Sequence, residues 1–364
     1  MRLAKWSLDF YRLPYRRPVT WAYAAESSSD YALLTLVTDT GAVGIAEGVV
    51  KPARTGYSPR SLAATLEDVL LPRLREVDLA DAGAVHAAFG WLDGHLSPRA
   101  LVDNACWALR AAVAKTPLWR TWGGSRDVPV AWIVTRQPPA QMAAEAADMC
   151  ARYGLRSLKL KGGQGIDIDL RVIAEVRAAV GPGVELSMDA NRAYPPQGIE
   201  AYVRAIADAG VTVAEDPCEL APDRAFEALQ RACPIPLLVD FACVSRQDAA
   251  LFIDRGARAL MIKPGRIGLT EAREIDALCA QHGVSVSLGM YYESALGAAL
   301  SLQVAGALKS RVILPPECFF PMLAQQIAGF TPEIKDGMFR LPEEANLASL
   351  VDRTALDTAS RAGA

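Results

Sequence analysis

The chain lacks long apolar runs, basic segments and any surplus of one charge. Acids and bases nearly balance over its 364 residues, with a formal net charge of −3. A nucleic-acid-binding protein usually carries a basic surplus or a basic run, so that class is not indicated. The N-terminus has no apolar segment of the signal-peptide kind, and the longest weakly polar run, Ser294 to Leu308, is too short to span a bilayer. We therefore expect a soluble, cytoplasmic protein that binds neither nucleic acid nor membrane.

The chain lacks the cysteine and histidine patterns that form disulfides or bind transition metals. The seven cysteines are scattered and include no Cys-x-x-Cys pair, so disulfides and zinc sites are not expected. The three histidines, His86, His95 and His282, do not stand at the end of any predicted strand. No Gly-x-Gly-x-x-Gly follows a predicted strand either, which removes the commonest dinucleotide-binding arrangement.

The first 125 residues predict a small α+β domain. The segment Tyr31 to Val37 is rich in β-forming residues, Thr38 to Gly41 has turn composition, and Ala42 to Val50 returns as a partner strand. Apolar residues recur at helical spacing in Ser61 to Leu74 and in Arg99 to Lys115. A Gly-Gly pair near residue 124 ends this region.

From residue 126 onwards, short apolar runs alternate with helical stretches. Such alternation predicts a parallel sheet, and the number of units favours a closed TIM-type (β/α)7-8 barrel over an open doubly wound sheet, which is the alternative. We expect this barrel to span residues 126–320, with residues 321–364 returning to the N-terminal domain. The predicted strands are Pro129–Val134, Leu155–Leu160, Val184–Met188, Val211–Ala214, Leu237–Val239, Ala259–Ile262, Val284–Leu288 and an eighth at Arg311–Leu314.

Charged residues stand where five successive predicted strands end. They are Lys159 and Lys161, Asp189, Glu215, Asp240 and Lys263. Positions 161, 189, 215, 240 and 263 lie 28, 26, 25 and 23 residues apart, each about one strand–helix unit, so the charges recur at one height. Buried charges must be paired or hold a metal, and three carboxylates on adjacent strands suit a hard cation such as Mg²⁺. A lysine beside a metal and other cations can have its pKa lowered enough to act as a base.

In this order and spacing the motifs resemble the enolase superfamily, in the muconate-lactonizing-enzyme-like branch of its mandelate racemase/muconate lactonizing enzyme family. The hairpin Asp39 to Glu47 resembles that of the family's capping domain, and Asp103 to Leu118 resembles its last capping helix. The motifs nearest to N-acylamino-acid racemases and o-succinylbenzoate synthases are Lys263-Pro264-Gly265-Arg266 and Gly289-Met290-Tyr291-Tyr292-Glu293-Ser294.

The resemblance implies a role for each of these strand-end residues. Asp189, Glu215 and Asp240 would bind Mg²⁺, with Mn²⁺ as an alternative. Lys161 and Lys263 would be acid/base catalysts on opposite faces of a small carboxylate substrate, and Lys159 would assist electrostatically. The shared step is removal of the proton α to the carboxylate to give a metal-stabilised enediolate. Residues 1–125 would form a capping domain that sets specificity, and the resemblance also implies a homo-oligomer.

Candidate substrate-binding residues lie near the strand ends and in two loops of the capping domain. They are Asn191, Glu293, Trp21, Tyr23, Arg54 and Tyr57. The three aromatic residues either pack on the substrate or seal the domain interface, and Arg54 is a candidate for binding a second anionic group. Two departures from the family pattern bear on the site. Phe241 stands where the family usually has Glu, and one additional residue precedes Glu293.

Paired lysines permit racemisation, epimerisation, cycloisomerisation or syn-elimination. We favour an isomerase, because lysines on strands two and six would face each other across the barrel. The alternatives are a syn-dehydratase of the o-succinylbenzoate-synthase kind and an inactive barrel with a binding role, for which Phe241 is the only indication. No histidine ends a strand and no Asp-x-Asp follows strand seven or eight, so the resemblance points less to the members of the family that dehydrate acid sugars or epimerise dipeptides.

Overall fold

An antiparallel sheet of three strands opens the chain. The computed structural model describes residues 1–22, 24–92 and 94–363. The strands are β1 (Leu3–Thr20), β2 (Ala25–Thr38) and β3 (Val43–Val49), paired in the order β1-β2-β3. The predicted turn between β2 and β3 is confirmed, and Gly41 there has a φ of 81°, a conformation that favours glycine. β2 begins six residues before the predicted Tyr31, because its polar first half is held by pairing with β1 rather than by burial.

Short helices and one long helix follow this sheet along the chain. Those formed by the described residues are α1 (Pro52–Thr55), α2 (Pro59–Thr65), α3 (Leu71–Leu74), α4 (Ala82–Ala88), α5 (Leu96–Ala114) and α6 (Leu118–Thr121). The helix predicted from Ser61 to Leu74 is interrupted by a π-helical turn at Leu66–Leu70. Pro72 accounts for the break, because it has no N–H to donate to the carbonyl four residues earlier.

The remainder of the chain alternates strand and helix. After the short β4 (Asp127–Pro129), the strands are β5 (Ala131–Val134), β6 (Ser157–Lys161), β7 (Glu185–Asp189), β8 (Val213–Glu215), β9 (Leu237–Val239), β10 (Ala259–Ile262), β11 (Ser285–Leu288), β12 (Val312–Leu314) and β13 (Glu317–Cys318). The helices are α7 (Pro139–Tyr153), α8 (Ile166–Val180), α9 (Ile199–Asp208), α10 (Arg224–Ala232), α11 (Arg246–Asp254), α12 (Pro264–Ile267), α13 (Leu269–His282) and α14 (Ala295–Ala305).

Strands β5 to β13 form one parallel sheet that closes on itself. Each strand pairs with the next along the chain from β5 to β12, and β13 pairs in parallel with β5. β12 and β13 are two pieces of one extended segment, 312–318, so this segment joins the seventh strand of the barrel to the first. The predicted TIM-type barrel with an N-terminal α+β domain is therefore confirmed, and the open doubly wound sheet is excluded.

The end of the chain packs back on both parts of the molecule. The hairpin of β14 (Ile334–Lys335) and β15 (Met338–Arg340) pairs with β4, and α15 (Arg353–Gly363) packs against β1. No helix within the described ranges is long and apolar enough to cross a membrane. All seven cysteines lie in those ranges and are free thiols, six of them buried.

Helix α5 ties the capping domain to the barrel beside a strand end. Asn104 donates a hydrogen bond to the Pro264 carbonyl (3.1 Å) and accepts one from the Leu269 amide (2.9 Å). Asp103 accepts hydrogen bonds from the amide and hydroxyl of Thr270. These bonds hold α12 and the start of α13, and therefore fix the backbone that follows Lys263.

Candidate active site

The register of the parallel strands brings the charged strand ends to one height. Lys161 on β6 pairs with Asp189 on β7, and Asp189 pairs with Glu215 on β8. Asp240 and Lys263 directly follow β9 and β10. All five side chains are buried, with no more than 9% of any residue exposed. The structure thus gathers these charges at the C-terminal end of the barrel, where barrel enzymes place their chemistry.

Lys159 is the most heavily paired cation of the site. Its Nζ lies 3.0 Å from Asp189, 2.7 Å from Glu215 and 2.6 Å from Glu317. Burial alone would lower the pKa of Lys159, but the three carboxylates outweigh it and raise that pKa well above its usual value. Lys159 therefore stays an ammonium ion, which suits an electrostatic role better than that of a base.

Lys161 stands in a different electrostatic environment two residues later. Its Nζ donates to Asp189 Oδ2 (2.6 Å) and to Asn191 Oδ1 (3.2 Å). Burial, and the neighbouring charge of Lys159, lower the pKa of Lys161 despite the attraction of Asp189. The neutral amine is thus more accessible at Lys161 than at an ordinary lysine, and only a neutral amine can accept a proton.

Lys263 and Arg266 share the carboxylate of Asp240. The Lys263 ammonium is hydrogen-bonded to Asp240 Oδ2, and Arg266 Nη1 lies 3.1 Å from Oδ1. Arg266 also donates to the backbone carbonyls of Asp240 and Cys243. The two cations lower the pKa of Asp240 below its usual range even though burial acts in the opposite direction. Asp240 is therefore ionised at neutral pH.

The donor set fits a hard divalent cation. Asp189, Glu215 and Asp240 offer only oxygen atoms and come from three neighbouring strands. Glu215 Oε2 and Asp240 Oδ1 are fully buried and accept no hydrogen bond, although each lies in ion-pair contact with a cation. Burial and the charge of Asp189 raise the pKa of Glu215 well above its usual value, so this carboxylate is poorly neutralised by the protein alone.

Side chains of the lysines lie between these three carboxylates. A different group of possible ligands lies close together among the described residues. His86, Glu271 and Glu274, on α4 and α13 outside the barrel mouth, have ligand atoms that all lie within 4.8 Å of one another. Each of the three carboxylates is paired with a lysine side chain, and the role of Asp189, Glu215 and Asp240 as cation ligands stays a prediction.

A cavity of about 260 Å³ lies above the charged cluster. Five of its fifteen lining residues are cationic and one, Glu317, is acidic. Predicted residues that line it are Lys159, Lys161, Lys263, Asn191, Trp21 and Arg54. Trp21 also donates to Glu26 (3.0 Å) and packs edge-on against Tyr292 (5.0 Å between ring centroids), so it both lines the cavity and seals the domain interface.

Two of the described substrate-binding candidates, Tyr57 and Glu293, do not line the cavity. Tyr23 lies outside the described residues. Tyr57 is hydrogen-bonded to His95 and does not line the cavity. Glu293 is buried beneath the loop after β11, where its carboxylate accepts from the Tyr291 amide and from the Ser301 hydroxyl.

The buried carboxyl group of Glu293 should make the free energy of unfolding depend on pH. Burial raises the pKa of Glu293 from 4.5 to about 7. The folded protein thus binds the Glu293 proton more tightly than the unfolded chain does. The contribution of this group to the free energy of unfolding is therefore complete below pH 4.5 and is lost as pH rises through about 7. We expect Glu293→Gln to be more stable than the parent by about 3 kcal/mol at pH 8 and equal to it near pH 4.5.

Denaturant unfolding of both proteins at the two pH values measures this difference. The surface variant Glu344→Gln is a suitable control, because its exposed side chain should add no dependence on pH. A constant difference between Glu293→Gln and the parent from pH 4.5 to 8 would contradict the prediction.

Glu317 is a site residue that the sequence reasoning missed. It is the first residue of β13, is buried, accepts from Lys159 Nζ (2.6 Å) and the Met290 amide (3.1 Å), and lines the cavity. The predicted eighth strand ends at Leu314, directly before Pro315 and Pro316. The other charges were predicted as ionisable residues at strand ends. Glu317 follows the same pattern when the eighth strand is extended past the two prolines.

Phe241, the departure from the family pattern, also faces the cavity. Its amide donates to Asp216 Oδ2 (2.8 Å), and Asp216 also accepts from the Asp240 amide (3.1 Å). The buried Asp216 therefore fixes the turn after β9. On the cavity side the Phe241 ring lies under two guanidinium groups, those of Arg54 (3.9 Å) and Arg192 (3.8 Å).

Comparison with known proteins identifies the family. Residues 10–123 match the N-terminal domain of mandelate racemase/muconate lactonizing enzyme, and residues 141–348 match the enolase C-terminal domain-like family. The chain is 28% identical to the L-Ala-D/L-Glu epimerase of Bacillus subtilis, over 82% of each chain. It is 27% identical to the o-succinylbenzoate synthase of Geobacillus kaustophilus, over 94% of this chain and 92% of the other.

A solved structure agrees with the fold. The dipeptide epimerase of Enterococcus faecalis, crystallised with Mg and the dipeptide L-Leu-L-Tyr, superposes with a TM-score of 0.87 at 22% identity, covering 95% of this chain and 99% of the other. At that identity the likeness shows the fold alone. The family matches cover both the capping region and the barrel, and this chain belongs to the mandelate racemase/muconate lactonizing enzyme family of the enolase superfamily.

Proposed function

We propose that this chain is a divalent-metal-dependent isomerase that moves the proton α to a substrate carboxylate. The observation that carries the proposal is the placement of Lys161 and Lys263, which line one cavity from β6 and β10. These strands are the second and sixth of the barrel and face each other across it, which supports an approach of the two side chains from opposite sides. A planar carbon between them would be accessible to one lysine on each face.

The lysines divide the proton transfer between them. With the substrate carboxylate held beside the cation that Asp189, Glu215 and Asp240 would bind, Nζ of one lysine would take the α-proton from one face, and Nζ of the other would return a proton to the opposite face. The lowered pKa of Lys161 favours the neutral amine that begins the step, whereas Lys159, held by three carboxylates, contributes fixed positive charge. Return of the proton to the opposite face inverts the carbon.

Asp189, Glu215 and Asp240 would hold the cation, and Mg²⁺ is the first choice because their donors are all oxygen. When bound, the cation would offset the negative charge that develops on the substrate carboxylate as the α-proton leaves. A family relative crystallised with Mg supports this choice. Asn191 donates to Asp189 through both its amide groups and so orients that carboxylate toward the site.

A syn-dehydratase is the second candidate. The relationship to an o-succinylbenzoate synthase favours it, and the same residues would serve. Elimination needs only one lysine as acid and base, with the other held as a cation. The two lysines placed on opposite sides of one cavity support the isomerase over the lyase.

Running the reaction in D₂O distinguishes the two reactions. A panel of N-acylamino acids, proline derivatives and muconates is incubated with the Mg²⁺-loaded protein, and the products are followed by NMR and mass spectrometry. We expect products of unchanged composition that carry deuterium at the α-carbon or at the ring carbon. Products lighter by a leaving group for every accepted substrate would establish the dehydratase instead.

A further inference from the structure

The buried carboxylate of Asp169 contacts the loop that follows Lys161. Asp169 lies in the first turn of α8, and none of its surface is exposed. Because a charge shielded from water must be paired or hydrogen-bonded, its oxygen atoms need donors from the protein. Those donors are the Gly163 amide (2.8 Å), the Tyr194 hydroxyl (2.6 Å) and the Tyr202 hydroxyl (2.9 Å) to Oδ2, and the Gln164 amide (3.3 Å) to Oδ1. The negative charge is therefore stabilised by the backbone of a loop and by two tyrosines.

The residue directly after Lys161 is held on three sides. The Gly162 amide donates to the Asp189 carbonyl (2.9 Å), and the Gly162 carbonyl accepts from Nε of Arg136 (2.8 Å). On the third side, a Cβ added to Gly162 would lie 2.9 Å from Oδ2 of Asp169, which is too close for a side chain. The Asp169 carboxylate thus packs directly on the backbone at the end of β6, from which the side chain of Lys161 extends.

Tyr194 joins this loop, residues 162–165, to the loop that follows β7, residues 190–198. Its hydroxyl donates to Asp169 and accepts from the Gly165 amide (3.1 Å). The loop 190–198 also carries Asn191, whose side-chain oxygen accepts from Lys161 (3.2 Å). Burial, together with the hydrogen bond to Asp169, raises the pKa of Tyr194, so its hydroxyl keeps its proton and remains a donor. The link to Asp169 therefore sets the distance between Lys161 and the loop that holds its partner.

Lys263 depends on a different support. Asn104, on α5 of the capping domain, is hydrogen-bonded to the backbone that follows Lys263. Neither Asp169 nor Tyr194 lines the cavity. Their influence on the chemistry must therefore pass through the loops after β6 and β7, which lie on the Lys161 side of the barrel.

We infer that Asp169 and Tyr194 form a positioning pair that holds Lys161 for proton transfer at one face of the substrate and leaves the opposite face to Lys263. The inference rests on the proposed function for the role of Lys161. Misplacing a reacting group by about 1 Å costs about 100-fold in rate. In Asp169→Asn the amide nitrogen can only donate, so at least one donor of the loop loses its acceptor and the end of β6 becomes free to shift.

Enantiomer-resolved exchange of α-protons in D₂O tests the pair in the Mg²⁺-loaded protein. In Asp169→Asn we expect exchange to fall at least about tenfold for the enantiomer that Lys161→Ala no longer exchanges, and to stay the same for the other. Tyr194→Phe should show the same one-sided loss with a smaller change in the protein, because it removes only a hydroxyl. Tyr202→Phe is the matched control: it removes a hydroxyl from the same carboxylate but lies on α9, outside both loops. Its ratio of the two exchange rates should equal that of the parent.

Competitive acetylation of the lysines, read by peptide mass spectrometry, tests the pair without turnover. Since a buried amine reacts through local opening, Lys161 should be acetylated at least about threefold faster in Asp169→Asn than in the parent, with Lys263 unchanged. Equal losses of exchange for both enantiomers, or an unchanged rate of Lys161 acetylation in both Asp169→Asn and Tyr194→Phe, would overturn the positioning pair. No exchange from any acid by the parent, together with faster acetylation of Lys161 in the variants, would refute the isomerase and leave the pair standing.

Discussion

Replacing either Lys161 or Lys263 with alanine is expected to reduce turnover by about 10²- to 10⁴-fold, the usual contribution of a positioned acid or base. Each variant should still exchange the α-proton of one enantiomer, and the two variants should act on opposite enantiomers, because each retains the lysine on one face. Enantiomer-resolved exchange in D₂O, followed by NMR, measures this directly.

Both variants should remain folded, because each carboxylate keeps a second cation. Without Lys161, Asp189 still lies 3.0 Å from Lys159 Nζ, and without Lys263, Asp240 still lies 3.1 Å from Arg266. A buried carboxylate left alone would destabilise the protein strongly. Circular dichroism checks the fold, and the exposed Lys335→Ala serves as the control for activity. Full turnover in both active-site variants would mean that these lysines have a structural role only.

Replacing Glu215 with glutamine is expected to weaken Mg²⁺ binding by at least about 100-fold and to remove Mg²⁺-dependent proton exchange. The glutamine keeps the shape of the side chain but loses the charge that a hard cation requires. Lys159 remains paired with Asp189 and Glu317, so the strand ends should keep their positions. Calorimetry with Mg²⁺ alone gives the affinity, and chelation followed by addition of Mg²⁺ to the parent should abolish and restore exchange.

Glu274→Gln is the matched control for this experiment. Glu274 belongs to the His86–Glu271–Glu274 cluster, which is the other place where the described chain gathers possible ligands. We expect this variant to bind Mg²⁺ and exchange protons as the parent does. If Glu274→Gln lost Mg²⁺ binding and Glu215→Gln kept it, the cation site would lie outside the barrel mouth. That result would contradict the proposed ligand set.

The elements of the barrel could be predicted closely because their signals are local. Leu237–Val239 and Ala259–Ile262 are predicted as strands and are β9 and β10, and α7 is one of the helical stretches predicted between the strands. A proline begins α7, and the left-handed Gly154 ends it. By contrast, the π-helical turn at Leu66–Leu70 breaks a helix whose apolar spacing is continuous, and spacing alone does not reveal it.

The order of charges at the strand ends is a property of the sequence by itself. A parallel barrel repeats one unit, so residues at equal distances along the chain must reach equal heights, and Lys161, Asp189, Glu215, Asp240 and Lys263 follow from counting. This order also carried the resemblance to the family, which the comparisons confirm.

Only the tertiary structure decided which side chains share the cavity and in what electrostatic environment. Two lysines separated by one residue differ because Lys159 lies among three carboxylates, one of them Glu317 from a strand 158 residues away. Phe241 likewise lies under two guanidinium groups that only folding brings together, one from the capping domain and one from the barrel. Such contacts join residues that are distant in the chain, and pKa values and ligand geometry depend on distances in space, which no local pattern in the sequence encodes.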